Sequence, residues 1–333
     1  MVTQQHVPIE GPKEGDPMWL EGRHYEPGRQ LWIGASDAAA ACNRSNYRTS
    51  LDLYLAARRI REIQFDDDQT KRLRRGRRMQ SVIVKEYSDE LGVQCVENDR
   101  MFIHPTLPYM TATPDAIVLS EHRRLLETKA TTQRMYAEDD DSKYGQEGTD
   151  LVPDDTLFQA QQQMAVMGVD QVDVAVMFGI FTLRVYPIQR NDDLIEAIAE
   201  AEKELCERIA DGCPPEPNWT HPRTRELITS VNGLQANTVV QLGDEELQWW
   251  LRYKMLGEEI SELEVQRDET RNRILSAMGS AELGRFPRGE KELRRLLVKE
   301  SLYLESDVEE VRARVGQVKR RAYERLLERK TKQ

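Results

Sequence analysis

The sequence is poor in cysteine and histidine and lacks any long apolar run. Its four cysteines, Cys42, Cys95, Cys206 and Cys213, have no CxxC spacing, and they are too few for a disulfide framework. The five histidines show no metal-ligand spacing. No apolar run approaches the roughly 20 residues of a membrane-spanning helix, and residues 1–14 lack the apolar stretch of a signal peptide. We therefore expect a cytoplasmic protein without a membrane partner.

Basic residues are outnumbered, with 47 Lys and Arg against 58 Asp and Glu, so the formal net charge is -11. This balance argues against a protein that holds nucleic acid through its overall charge. The charge is uneven, however, because residues 71–78 read KRLRRGRR while residues 138–141 are acidic. A local basic surface remains compatible with the sequence, although a solvated helix face is the ordinary interpretation of one such run.

The order of apolar patterns predicts an α/β core in which a central mixed sheet is flanked by helices. The run Pro214-Pro215-Glu216-Pro217 is the clearest boundary, and we place a domain edge near Trp219. The expected parts are a flexible N-terminal arm (1–26), the core domain (27–219) and a mainly helical C-terminal extension (220–333).

Helices are predicted at 36–42 (capped by Ser36), 50–61, 70–91, 156–167, 192–210 and 244–278, with a hairpin and a basic helix after residue 282. Strands are predicted at 93–103, 109–119, 124–130, 172–178 and 182–188, the first three as an antiparallel meander, and a loop at 138–150.

Two short motifs predict a metal-dependent phosphodiesterase site. They are Thr113-Pro114-Asp115 and, on the next predicted strand, Leu126-Glu127-Thr128-Lys129. Strand alternation places Glu127 and Lys129 on one face, where a hairpin would bring Asp115 and the backbone carbonyl of Thr128. Phosphodiester hydrolysis requires a metal held by oxygen ligands, an activated water and a positive charge. A Glu-x-Lys pair alone is typical of a surface ion pair, but the neighbouring TPD motif raises its specificity.

The motifs together resemble the YqaJ-type viral recombinases, relatives of phage lambda exonuclease in the PD-(D/E)XK nuclease superfamily. The resemblance covers residues 28–217, and its elements occur in the family's order. They are Arg29 with Ile33-Gly34-Ala35-Ser36-Asp37, then Gly76-Arg77-Arg78-Met79-Gln80, then Thr113-Pro114-Asp115-Ala116, then Leu126-Glu127-Thr128-Lys129, and Val152-Pro153 leading to Gln159-Ala160-Gln161. Five ordered elements are far less expected by chance than one.

The resemblance implies a restriction-endonuclease-like core and assigns roles to individual residues. Asp115 and Glu127 would bind Mg²⁺, with Mn²⁺ as a substitute, and Lys129 would orient or activate the attacking water. A pocket for the 5′-phosphate of DNA is implied at Arg29, Ser36, Thr113 and Gln159. An Arg fork with hydroxyl and amide donors at a helix N-terminus suits a phosphate, although Arg29 alone reads as an ordinary surface residue.

The sequence departs from the family at Gln80, where the family usually has a glutamate. Glutamine keeps the shape and one carbonyl oxygen but removes a negative charge. A neutral ligand is expected to weaken metal binding, above all that of a second ion. Gln80 therefore joins Asp115, Glu127, Lys129 and Gln159 in the expected catalytic set as its weakest member.

The resulting expectation is a magnesium-dependent 5′-to-3′ double-stranded DNA exonuclease of phage or prophage recombination, which generates 3′ single-stranded tails for annealing. The resemblance also implies a trimeric ring around DNA ends, a single-strand annealing protein as partner, and action in a bacterial host's cytoplasm. Two alternatives stay open. One is a restriction-like or structure-specific endonuclease on the same core, and the other is a catalytically weakened DNA-binding subunit, because Gln80 replaces an acid.

Overall fold

The computed structural model describes residues 7–61, 67–120, 123–131, 144–179, 182–232, 238–286, 291–298, 301–303, 318–320 and 323–330. The chain divides into two compact units, Met1–Ala236 and Asn237–Gln333. The predicted loop at 138–150 is described only from residue 144 onwards. All four cysteines are free thiols, as expected from their spacing.

The first unit contains both helices and strands. The helices are α1 (Pro17–Glu21), α2 (Ala38–Ala41), α3 (Ser50–Ala57), α4 (Asp67–Leu91), α5 (Asp154–Met167), α6 (Asp192–Asp211) and α7 (Thr224–Asn232), with a 3-10 turn (Ala35–Asp37) before α2. The strands are β1 (Ile9–Lys13), β2 (Ile33–Gly34), β3 (Gln94–Glu97), β4 (Arg100–Ile103), β5 (Met110–Ala112), β6 (Ala116–Leu119), β7 (Arg124–Thr131), β8 (Gln171–Phe178) and β9 (Thr182–Gln189).

These strands form two sheets, and the predicted mixed α/β core is confirmed. One sheet has the order β3-β6-β7-β8-β9, in which only β7 and β8 are parallel neighbours. The other has the order β1-β4-β5-β2, in which β2 and β5 are parallel. Because parallel strands need a crossover connection, helix α5 lies between β7 and β8 in the chain.

Two of the predicted strands break in the middle, and their halves join different sheets. The breaks are at Asn98-Asp99 and at Thr113-Pro114-Asp115. Pro114 has no N–H for a strand ladder, while Asn98 donates to the Pro114 carbonyl from its side chain (2.9 Å) and to the Asp115 carbonyl from its backbone (2.9 Å). The predicted single meander of three strands is therefore wrong. Both broken strands pass from one sheet into the other, and their two crossing points lie next to each other.

The N-terminal segment is more ordered than the predicted flexible arm. Strand β1 pairs antiparallel with β4, with Ile9 opposite Ile103 and Glu10 opposite Phe102. Helix α1 begins at Pro17, and the Asp16 carboxylate accepts from the N–H of Met18 as its N-cap. Residues 9–21 are thus held by a strand ladder and a capped helix, which the scattered Pro and Gly of this segment did not indicate.

Helix termini differ from prediction at the shorter helices. Ser36 makes no capping hydrogen bond, since it lies inside the 3-10 turn that precedes α2. Helix α3 ends at Ala57 rather than at residue 61, and it begins with a capping box between Thr49 and Asp52. Helix α4 ends as predicted before Gly92, whose φ of 62° suits the left-handed conformation of a helix end.

The five-stranded sheet is packed between two helices, and the alternation of β7 decides which side chain faces which helix. Leu125 lies in an apolar cluster with Met164 and Met167 of α5. Leu126, the next residue, lies in a separate cluster with Ile83 and Tyr87 of α4. Strand alternation therefore places Glu127 and Lys129 on the α5 side with Leu125.

Helix α7 lies beyond the predicted domain edge near Trp219 but belongs to the first unit. Its Leu227 is fully buried and packs in a cluster with Leu55 of α3 and with Leu205 and Ile209 of α6. The apolar face of a single short helix is enough to tie residues 224–232 to the core.

The second unit agrees with prediction in its first half only. Helix α8 (Asp244–Met278) is observed as predicted, and β10 (Leu283–Arg285) and β11 (Lys291–Val298) form the expected hairpin. The terminal basic helix is wrong over the described residues, because β14 (Tyr323–Lys330) pairs with β11 and β13 (Val318–Arg320) pairs with β12 (Ser301–Tyr303). Residues such as Arg, Leu and Glu favour helices intrinsically, and strand pairing overrides that preference here.

No helix in the described part of the chain is both long and apolar enough to cross a membrane.

Candidate active site

Asp115 lies directly after the proline turn, at the seam between the two sheets. Its Oδ2 atom accepts two hydrogen bonds of 2.7 Å, from the backbone N–H and from the hydroxyl of Thr128. Strand β6 pairs with β7 only from Arg124 to Leu126, which leaves the N–H of Thr128 available to this carboxylate. The register of the two strands thus determines where Asp115 points.

Glu127 and Lys129 form an ion pair on the face of β7 that looks towards α5. Glu127 is buried, and its Oε1 lies 2.8 Å from the Lys129 ammonium. That ammonium also donates to Oε1 of Gln159 at 2.9 Å. The structure therefore contains two hydrogen-bonded groups, Asp115 with Thr128 and Glu127 with Lys129 and Gln159, which adjoin along β7.

Two glutamines of α5 hold the Glu127 carboxylate from above the sheet. Gln159 donates to Oε1 at 2.8 Å, and Gln163 donates to Oε2 at 2.6 Å. Gln163 is fully buried and was not predicted. Its sequence signal is the spacing of four residues from Gln159, which places both amides on one helix face.

Burial and neighbouring charges shift the pKa values of Asp115 and Lys129. Burial, and then the charge of Glu127, raise the pKa of Asp115, while the bonds from Thr128 act in the opposite direction. Burial opposes the charge on Lys129, but the neighbouring Glu127 outweighs it, and the pKa of Lys129 is raised. Two carboxylates share this buried space with one ammonium, which is a setting that favours a further cation.

The donor set fits a divalent ion that prefers oxygen ligands. Mg²⁺ typically uses one or two carboxylates and retains several waters, and the cluster offers Asp115 and Glu127. No group of three or more His, Cys, Asp or Glu side chains with metal-binding geometry occurs among the described residues. Among the described residues the cluster therefore offers two carboxylates, Asp115 and Glu127.

Ser36 and Thr113 lie at the same end of a parallel strand pair. Strand β2 pairs with β5 through Ile33 opposite Met110 and Gly34 opposite Thr111, so Ser36 and Thr113 each follow that pair by two residues. The amide of Gln162 joins the strands by donating to the carbonyls of Ile33 (3.0 Å) and Thr111 (3.1 Å). Since Gln162 and Gln159 share α5, one helix connects this strand end to the carboxylate cluster.

Arg29 and Gln80 are not joined to the cluster by any hydrogen bond between described residues. The Arg29 guanidinium pairs with Glu26 (2.9 Å) and Glu21 (3.5 Å) and donates to the Glu21 carbonyl at 2.6 Å. Gln80 is half-buried on α4, the helix that packs against β7. The roles predicted for Arg29 and Gln80 stay predictions.

Comparison with known proteins places the site within a matched domain. Residues 19–170 match the YqaJ-like viral recombinase domain. The chain is 24% identical over 259 residues to the uncharacterized protein YqaJ of Bacillus subtilis (strain 168), which covers 77% of this chain and 78% of that protein. It is similar to the alkaline exonuclease LHK-Exo of Laribacter hongkongensis (20% identity, 55% of this chain, 89% of that chain, TM-score 0.42). It is also similar to a phage related exonuclease of Haemophilus somnus 129PT (13% identity, 55% and 96% covered, TM-score 0.40).

Proposed function

We propose that this chain is a magnesium-dependent 5′-to-3′ exonuclease of double-stranded DNA, because residues 19–170 match the YqaJ-like viral recombinase domain. Its products would be 3′ single-stranded tails used in phage or prophage recombination by annealing. The nuclease class predicted from the motifs agrees with the family match. The observation that carries the proposal is the buried group of Glu127, Lys129 and Gln159, bonded to one another, with Asp115 held beside it by Thr128.

The chemistry assigned to the cluster follows from what each side chain can do. Asp115 and Glu127 would hold the metal, with the carbonyl of Thr128 as a further ligand, and a bound Mg²⁺ supplies Lewis-acid activation of water and phosphate. The Lys129 ammonium is fixed between Glu127 and Gln159. From there it orients the attacking water and stabilises the negative charge that develops on the phosphate.

The amides of α5 serve as positioning groups in this proposal. Gln159 and Gln163 fix the two oxygens of Glu127, so the carboxylate cannot rotate away from the face shared with Lys129. Groups that orient a ligand in this way commonly change metal affinity or activity by about 10–100-fold when they are removed.

The direction of digestion is assigned to a 5′-phosphate pocket built from Ser36, Thr113, Gln159 and Arg29. Support comes from the shared strand end of Ser36 and Thr113 and from the α5 link to Gln159. Arg29 would exchange its exposed pairs with Glu21 and Glu26 for the phosphate. Ion pairs with exposed carboxylates contribute only about 0–1 kcal/mol, so the loss of these two ion pairs costs little.

The wider assignments rest on the family and on the expected reaction. We propose double-stranded DNA ends as substrate, a trimeric ring that encloses the duplex, a single-strand annealing protein as partner, and the bacterial host cytoplasm as the place of action. An enclosed channel would also let an acidic chain concentrate its basic residues around DNA.

The test is digestion of linear duplex DNA with and without 5′-phosphates, in Mg²⁺, with a closed circular duplex as control. We expect the phosphorylated linear DNA to be degraded from its 5′ ends, slower loss of the unphosphorylated DNA, and an intact circle. Asp115→Asn should abolish hydrolysis in the same assay. Cutting of the circle would instead establish an endonuclease. Resistance of the phosphorylated linear DNA, with unchanged DNA binding by Asp115→Asn, would establish a non-catalytic binding subunit.

A further inference from the structure

Helix α4 carries opposite charge in its two halves. Six of the eight residues 71–78 are Lys or Arg, whereas residues 81–91 contain Lys85 with three acids, Glu86, Asp89 and Glu90. In the basic half, Arg74, Arg75, Arg77 and Arg78 are exposed. Arg77 pairs with Glu14 at 2.9 Å. Within the described ranges, no carboxylate pairs with Arg74, Arg75 or Arg78.

The basic half continues the helix beyond the residues that pack against the core. Ile83 and Tyr87 of the second half are buried in the cluster that contains Leu126 of β7. Gly76 precedes Gln80 by four residues and Ile83 by seven, so these three residues lie on one helix face. Gly76 therefore occupies the same face as the packed residues, one turn outward from Gln80.

Among the described residues, no contact requires a glycine at position 76. It lies inside an α-helix, where glycine is the least favourable residue after proline. A Cβ atom at this position would meet no described atom within 4 Å, so no neighbouring group in the described ranges requires its absence. Glycine also allows a ligand to approach the backbone closely, and that use needs a partner from outside the chain.

We propose that the basic half of α4, residues 71–78, is a docking surface for the phosphate backbone of duplex DNA, and that the DNA contacts the helix at Gly76. This inference rests on the proposed function. Arginine forks match phosphate oxygens, and a cluster of them on a chain of net charge -11 concentrates the attraction on one surface. Gly76 shares its helix face with Gln80, the residue expected at the metal site, and a duplex docked at Gly76 would lie along that face.

The first experiment uses Gly76→Ala, which should stabilise the helix and weaken DNA binding, so that the two effects can be told apart. Gly76→Ala should raise the melting temperature by roughly 2–4 °C, because alanine favours the helix. It should nevertheless weaken binding of a short blunt duplex with 5′-phosphates, measured in EDTA so that no hydrolysis occurs. The control is Gly257→Ala in α8, another mid-helix glycine with nothing within 4 Å of a Cβ. That variant should leave DNA affinity unchanged.

The second experiment tests the arginines through the salt dependence of binding. The triple variant Arg74→Gln, Arg75→Gln and Arg78→Gln should lower the slope of log affinity against log salt by roughly 0.9 for each phosphate that the protein no longer neutralises. Lys85→Gln, an exposed change in the second half of the same helix, should leave the slope unchanged. Hydrolysis of very short DNA at low salt should persist in the triple variant, because its carboxylate cluster is intact.

The outcomes distinguish this inference from the proposed function. If the wild-type chain binds and digests duplex DNA while the Gly76 and arginine variants match it in affinity and salt slope, the docking surface is wrong and the exonuclease stands. If the wild-type chain neither binds nor digests duplex DNA, both fail. Equal effects of the Gly76 and Gly257 changes on affinity would also overturn the inference.

Discussion

Asn98 holds the backbone of the proline turn, since its side-chain amide donates to the carbonyl of Pro114 at 2.9 Å. Its backbone N–H donates to the carbonyl of Asp115 at 2.9 Å. The same amide donates to the carbonyl of Arg100 at 2.7 Å, which anchors Asn98 in its own strand crossing. The orientation of the Asp115 carboxylate therefore depends on a residue of the neighbouring crossing that carries no catalytic group.

Asn98→Ala is expected to raise the Mg²⁺ concentration needed for half-maximal hydrolysis by about 10–100-fold, because the turn that positions Asp115 loses its clamp. Metal titrations of the initial rate of duplex digestion measure this effect. Asn191→Ala is the matched control, since Asn191 caps α6 through the N–H of Leu194. It should lower stability by about 1 kcal/mol and leave the metal requirement as it is. An equal shift in both variants would mean that Asn98 acts only through stability.

Gln163→Met should lower kcat by about 10–100-fold with little change in KM for DNA, because Oε2 of Glu127 loses its buried donor. Steady-state rates on linear duplex DNA report both constants. The control is Gln161→Met on the same helix, where a buried amide donates to the Gln189 carbonyl at 2.8 Å. Its loss should cost about 1–3 kcal/mol of stability without a fall in kcat. A normal kcat in Gln163→Met would remove Gln163 from the site.

Gln80→Glu is expected to raise activity or to lower the Mg²⁺ requirement, since a carboxylate returns negative charge to a site that has only Asp115 and Glu127. The measurement is the same metal titration. Gln266→Glu, which adds one negative charge on α8 of the second unit, controls for the change in net charge. An unchanged or weaker response in Gln80→Glu would show that position 80 contributes no metal ligand.

Glu202 makes stability depend on pH. Burial, and then the charge of Asp37, raise its pKa well above the usual 4.5. The folded chain thus holds a proton that the unfolded chain releases, and stability falls as pH rises from 4.5 towards the folded pKa. Glu202→Gln should therefore raise the melting temperature progressively above roughly pH 5 and not below it. Melting curves across pH, with exposed Glu200→Gln on the same helix as control, test this; parallel curves would contradict it.

Apolar periodicity predicted the position of most helices and strands but could not assign strands to sheets. Alternation reveals that a residue faces a core, and it does not reveal which core. The crossings at Asn98 and at Pro114 therefore read as continuous strands, and the seam between the sheets went unpredicted. The terminal strand Tyr323–Lys330 was missed for a related reason. Its Arg, Leu and Glu residues favour a helix, and only its pairing with residues 291–298 makes it a strand.

The candidate site was easier to predict than its supports. Asp115, Glu127 and Lys129 are charged residues in motifs, and residues 19–170 match the YqaJ-like viral recombinase domain, in agreement with the resemblance drawn from those motifs. Gln163 and Asn98 are neutral, and their types are typical of exposed helices and turns. Their importance comes from burial and from partners distant in sequence, which only the folded chain displays.

The crossover through α5 has a consequence for how the protein forms. Glu127 and every described side chain that bonds its carboxylate lie between residues 127 and 163, and Asp115 precedes Glu127 by twelve residues. Domains usually fold as they emerge from the ribosome. The catalytic cluster therefore has all its parts available once β8 has emerged, while the second unit is still being synthesised.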